Sequence, residues 1–160
     1  MEVYAEMFQA CAGRVLEKMA GVTPRRGPVC RVTELRTQES LTAIVGLQGD
    51  LVGSVSLVLS RDVACRLAGR VTGETLSEDA WDTVRAIITE IVNTAAGNAT
   101  GLLLAKGIRE NLTPPTAVEG PQVFFGYVGG IETFSAPILT EVGPCAVILS
   151  LQKNERPLGT

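Results

Sequence analysis

Glu90 and Asn93 stand one helical turn apart in ITEIVNTAAGNATG, residues 88 to 101, a run otherwise made mostly of small or apolar residues. The pair offers a carboxylate beside an amide that both donates and accepts, so its chemistry is hydrogen bonding and charge directed at whatever meets it. No histidine occurs in the chain. That absence removes the serine and cysteine hydrolase arrangements built on imidazole and every zinc site that needs it. Cys11, Cys30, Cys65 and Cys145 lie far apart and form no CxxC, so they read as scattered buried thiols, not as a zinc ribbon or a redox pair.

The element that must position the pair is a long helix, expected from a Ser77 cap with Glu78 and Asp79 at its positive end to about Lys106, where Gly107 follows as a stop. At 100° per residue Trp81, Val84, Ile88, Ile91, Val92, Ala95, Ala99 and Leu102 gather on the side that covers a core. Relative to Glu90, Asn93 then lies about 60° away, Gly97 about 20°, and Ala86 and Gly101 within about 40°. All five project outward, and with Thr83 and Thr94 they make a face that lacks long charged side chains. Each mid-helix glycine costs about 1 kcal/mol relative to alanine, a cost with no folding rationale on a solvated face. The face therefore reads as cleared so that a partner docks and brings something to Glu90 and Asn93. Two plainer readings stay open: a merely solvated polar pair, and glycines that let another part of the same chain pack closely.

Around this helix, residues 2 to 19 carry Val3, Met7, Cys11, Val15 and Met19 at helical spacing, with Phe8 and Leu16 beside the stripe, before Gly21 and Pro24 end it. VCRVTELRT (29–37), LTAIVGLQ (41–48) and LVGSVSLVLS (51–60) predict an antiparallel meander, with Gly49-Asp50 as its second turn. Ser60 caps a short helix from Arg61 that ends between Gly69 and Gly73. TPPTAVEG (113–120) must be extended or turning, because prolines disfavour helix at and before them. VFFGYV (123–128), the break Gly129-Gly130, and two β runs, IETFSAPILT and CAVILSLQ, joined by Glu141 to Pro144, complete the chain. No internal repeat is visible. The expected class is α+β, with long helices packed on one face of a largely antiparallel sheet. Neither GxGxxG nor GxxxxGK[ST] occurs, so a standard phosphate loop has no basis here.

With 160 residues and 46% apolar content, the chain fits one domain spanning 1–160. A formal net charge of -3 argues against a nucleic-acid groove or an anionic membrane as main partner. The start MEVYAEMFQAC has glutamates where a secretory signal needs positive charge, and no apolar run reaches the roughly 18 to 20 residues of a membrane helix. A cytoplasmic location is expected.

ITEIVNTAAGN followed by NLTPPTAVEG resembles the chemotaxis phosphatases of the CheX/CheC/FliY family, and within it the CheX branch. The family's Glu-x-x-Asn pair falls on Glu90 and Asn93, continued by small residues to Gly97 and Asn98. Its proline segment falls on Pro114, Pro115, Thr116 and Gly120, and SAPILTEVGPCAVILSLQ has the look of its closing strand pair. Members with two Glu-x-x-Asn elements are CheC-like; this chain has one, and it carries Ala86 where CheC-type patterns often place Asp or Ser.

The resemblance implies hydrolysis of the aspartyl phosphate on a CheY-like response regulator. Asn93 would position the attacking water and Glu90 would pair with the regulator's lysine. Ala86, Gly97, Asn98, Gly101, Pro114 and Pro115 would contact the regulator. It further implies no cofactor of the chain's own, Mg²⁺ supplied by the phosphorylated receiver, and a homodimer joined away from the Glu90 face. A binding module of the same fold without turnover, and an unrelated interaction domain with the cleared helix as a dimer face, are the rival readings.

Overall fold

A computed structural model describes residues 1–36, 41–120, 124–125 and 130–155. In chain order these form α1 (Glu2–Ala20), β1 (Arg25–Arg26), β2 (Cys30–Val32), β3 (Leu35–Arg36), β4 (Leu41–Gln48), β5 (Leu51–Leu59), α2 (Arg61–Thr72), α3 (Trp81–Ala105), β6 (Thr116–Glu119), β7 (Phe124–Phe125), β8 (Glu132–Thr140) and β9 (Gly143–Lys153). Period-two apolar patterns build the sheet. β4 and β5 form one hairpin, β8 and β9 another, and β5 pairs with β9 between them, Val55 opposite Leu149. β6 adds to β4, while β1 and β2 both add to β8, so the order is β1-β8-β9-β5-β4-β6 with every pair antiparallel. Alternate residues such as Val45, Leu57, Phe134 and Leu149 enter one core with Phe8 and Leu16 of α1 and Ile88 and Leu103 of α3. This is the expected α+β arrangement of helices on an antiparallel sheet.

Several expectations need correction. VCRVTELRT does not join a meander: it is split into β2 on the sheet edge and β3, which pairs with β7 in a separate two-stranded sheet. Charges at Arg31, Glu34 and Arg36 deny the run a continuous apolar face, so it suits edges only. Of the strand expected over 123–128, Phe124–Phe125 is described; the remainder and Gly129 lie outside the described residues. In α1 Cys11, Val15, Phe8 and Leu16 are buried as expected, together with Ala5, Ala12 and Ala20, whereas Met7 and Met19 are only half-buried and Val3 is 58% exposed. Ser60 does cap α2, its Oγ accepting from Val63 N at 3.1 Å, but Ser77 makes no side-chain cap. A 3-10 turn, Glu78–Ala80, leads into α3 instead. Of the cysteines, Cys11 and Cys145 are buried, Cys65 is half-buried and Cys30 is exposed at the β2 edge. No helix of the described residues is long and apolar enough to cross a membrane.

The fold also contains a repeat that sequence inspection missed. Glu6-x-x-Gln9-x-x-x-Gly13 in α1 matches Glu90-x-x-Asn93-x-x-x-Gly97 in α3. Each helix is followed by short strand that crosses to the other half's hairpin, β1 and β2 to β8, and β6 to β4. Each helix packs over the hairpin that the other half's short strand leaves, α1 over β8 and β9, α3 over β4 and β5. An approximate twofold axis therefore passes between β5 and β9.

The two copies have diverged where it matters for stability. Gln9 is 3% exposed, and its Nε2 donates to the carbonyls of Gly27 at 2.9 Å and Pro137 at 2.7 Å, tying α1 to the β1 and β8 edge. Gln9→Ala removes both bonds and leaves the Gly27 carbonyl without this donor. The expected loss is about 1 to 3 kcal/mol of unfolding free energy, read from the midpoint of a urea transition.

Candidate active site

Val84, Ile88, Ile91, Val92, Ala95, Ala96, Ala99 and Leu103 are the buried residues of α3. From Val84 to Leu103 the buried positions advance slightly more than 3.6 residues per turn, so the core face winds around the helix and Leu103 takes the place expected of Leu102. Leu102 is 46% exposed beside α1. The opposite side is then fixed. Ala86, Glu90, Gly97, Asn98 and Gly101 are exposed and Asn93 is half-buried. Glu90 and Asn93 are about 4.5 Å apart along the axis.

Neither functional group of this pair is used up by the fold. Glu90 Oε1 accepts from Thr94 Oγ1 at 3.2 Å and makes no ion pair with a described residue. The Asn93 carboxamide makes no hydrogen bond to a described residue, which leaves donor and acceptor both available to an incoming molecule. A Cβ built on Gly97 or on Gly101 meets no atom within 4 Å, so the described chain does not pack over this face. That removes close intrachain packing as the reason for the glycines. At the related positions of α1 the situation is reversed: a Cβ on Gly13 meets the Pro24 ring at 3.8 Å, and Gln9 is committed to backbone carbonyls.

The remaining expected residues fall in two places. Asn98 lines a cleft of about 410 Å³ between α1 and α3, with Gly97, Gly101 and Leu102 on its side. Pro114 and Pro115 lie on the β4 edge and not on the α3 face. Asn111 and Gln48 exchange backbone hydrogen bonds, Thr113 N donates to Gly46 O at 3.0 Å, and β6 pairing resumes at Thr116. Lacking N–H groups, the prolines fill the gap in this edge ladder where no donor is required. Among the described residues no group of three or more His, Cys, Asp and Glu side chains is placed to hold a metal ion. A larger cavity, about 580 Å³, opens along α2 near Cys65, Arg66 and Arg70, and no α3 residue lines it. The face with free polar chemistry is thus open surface, suited to a substrate presented by another macromolecule.

Comparison with known proteins decides the family. Residues 41–138 match the model of the chemotaxis phosphatase CheX, a span that includes Glu90, Asn93, Pro114 and Pro115. The chain belongs to the CheX family. It is 26% identical over 140 residues to the CheY-P phosphatase CheX of Thermotoga maritima, covering 86% of this chain and 90% of that one. The crystal structure of the chemotaxis protein CheX from Desulfovibrio desulfuricans superposes with a TM-score of 0.82 at 22% identity, covering 95% of this chain and all of that one. CheX in the CheX-CheY-BeF3-Mg²⁺ complex of Borrelia burgdorferi has a TM-score of 0.77 at 25% identity, covering 94% of this chain and 98% of that one.

In this member of the family the N-terminal end of α3 is held by contacts of Trp81, expected only as a core residue, with side chains not expected to meet it. Trp81 Nε1 donates to Glu119 Oε1 at 2.8 Å, and Arg85 reaches Glu119 at 2.8 Å and Asp82 at 2.9 Å. The Arg61 guanidinium lies 3.9 Å from the centroid of the Trp81 ring. The cluster joins α2, α3 and β6. Its sequence signal was slight: Trp81 is the one tryptophan of the chain, but nothing local marks Arg61 or Glu119 as its partners.

The Trp81 hydrogen bond, then Arg85, hold the Glu119 carboxyl below its ordinary range. A depressed folded value means that this contribution is present above the unfolded pKa and is lost as pH falls through the folded one. An acid titration of Trp81 fluorescence is expected to show a step below the usual glutamate range, and Glu119→Gln is expected to abolish it.

Proposed function

We propose that this protein hydrolyses the aspartyl phosphate of a CheY-like response regulator, with Asn93 placing the attacking water. The observation that carries the reading is the uncommitted Asn93 carboxamide beside Glu90 on a face that the described chain leaves open. The Thermotoga relative is named for CheY-P, and the Borrelia relative was crystallised with CheY, which supports the same substrate class here.

Hydrolysis of an acyl phosphate asks little of the phosphatase. Asn93 accepts a hydrogen bond from the water through its carbonyl oxygen and donates to a phosphoryl oxygen through its amide, setting the water in line. The water oxygen bonds to phosphorus as the bond to the aspartyl oxygen breaks, the regulator's aspartate departs as carboxylate, and inorganic phosphate is released. Glu90 pairs with the regulator's lysine and fixes the register of docking. Mg²⁺ bound in the regulator's own site neutralises charge on the phosphoryl oxygens. Ala86, Gly97 and Gly101 admit the regulator closely, Asn98 contacts it, and Pro114 and Pro115 stiffen the adjoining edge. Residues 1–160 act as one domain in the cytoplasm, and a homodimer joined through the sheet edges leaves the Glu90 face free.

In a decay assay of a phosphorylated receiver, Asn93→Ala is expected to remove the acceleration, by about a hundredfold or more, while binding survives. Binding with unchanged decay by the native protein would instead mean a regulator-binding module. Gly97→Gln separates docking from folding. The variant is expected to be about 0.5 to 1 kcal/mol more stable by urea unfolding and to lose affinity for the receiver.

A further inference from the structure

We infer that Arg14 and Lys18 of α1 form an electrostatic seat that draws in the acidic rim of the phosphorylated receiver and holds it against the Glu90 face; the inference rests on the function proposed above. Both side chains are exposed and line the cleft of about 410 Å³ whose other wall is Gly97, Asn98, Gly101 and Leu102. The cleft is continuous with the site. Asn98 is five residues from Asn93, about 7.5 Å along the helix, within a Debye length at physiological salt.

Neither cation is paired with a described residue, unlike Arg61, Arg66 and Arg85 on α2 and α3, which have carboxylate partners. No acidic side chain lines the cleft: Glu17 lines a neighbouring recess with Pro24 and Arg26, which Arg14 also borders, and Glu6 lines another with Arg25. No charged residue stands on the α3 wall of the cleft. A receiver's phosphorylation pocket must hold a divalent cation and therefore carries carboxylates around its phosphoryl group. Such a surface would be repelled by a chain of net charge -3 unless it met a local concentration of positive charge. Arg14 and Lys18 supply that charge across the cleft from Asn98 and Gly101.

The test uses the charge-reversed R14E/K18E protein and the charge-keeping R14K/K18R protein, with circular dichroism to check α1. R14E/K18E is expected to raise KM for the phosphorylated receiver about tenfold with kcat within about twofold, and to lose the decline of kcat/KM with salt that the native protein shows. R14K/K18R is expected to keep native values. Binding of the receiver is measured in parallel on Asn93→Ala, with and without the charge reversal. Unchanged KM, affinity and salt dependence in R14E/K18E overturns the seat while leaving the phosphatase reading intact. Charge-dependent binding without turnover by the native protein keeps the seat and overturns the phosphatase reading. No binding by the native protein overturns both.

Discussion

Burial of Val84, Ile88, Val92, Ala96, Ala99 and Leu103 between the sheet and α1 leaves α3 no freedom to turn about its own axis, and each property of the Glu90 face follows from that constraint. A rotation large enough to hide Glu90 would bring a carboxylate into the space of isoleucines and alanines, where an unpaired charge is strongly disfavoured. The same seat decides where nothing is packed. Because the core stripe winds around α3 toward its C-terminal end, Leu102 is left at the cleft, and Gly97 and Gly101 remain uncovered. The Trp81, Arg61, Arg85 and Glu119 cluster fixes the other end, so α3 is restrained along its length while its middle presents bare backbone.

Much of this was legible because it depends on periodicity. The 3.6-residue pattern of α3 located its outer face and put Glu90, Asn93, Gly97 and Gly101 together. The hairpin turns expected at Gly49-Asp50 and within Glu141 to Pro144 separated strands whose alternation is regular, the second closing tighter than expected at Glu141-Val142 because Gly143 and Pro144 already pair in β9. What failed depends on distant partners. Nothing within CRVTELR says that Cys30 will face Ser135 of β8 or that Leu35 will face Phe125 of β7. Leu102 and Leu103 are adjacent leucines, and Leu103 enters the core because the buried face winds around the helix, a drift that a fixed 100° step does not capture. Pro114 and Pro115 were placed in a segment that was correctly read as extended, but their position on the β4 edge follows from the hydrogen bonds of Gly46, Gln48 and Asp50, which sequence spacing does not reveal.

The repeat escaped notice for a related reason. Two helices that share only a glutamate, an amide and a glycine at matching positions look unrelated until the crossing of β1 and β2 to β8 and of β6 to β4 displays the twofold arrangement. The comparison is instructive about how environment assigns roles to similar side chains. In α1 the amide is buried and satisfied by the carbonyls of Gly27 and Pro137, and Gly13 is met by Pro24. In α3 the amide has no partner within the described chain, and its glycine faces open space. One copy became an internal strut and the other an open face.

The uncovered glycines of α3 have a last consequence. With Thr83, Thr89, Thr94 and Thr100 also in the helix, the segment 81–105 has low intrinsic helicity, and its order is borrowed from the hydrophobic layer beneath it. The Glu90 and Asn93 geometry therefore has no existence as an autonomous peptide. Any loosening of the interior dissolves the Glu90 and Asn93 face at the same moment, so a partly unfolded molecule no longer presents it.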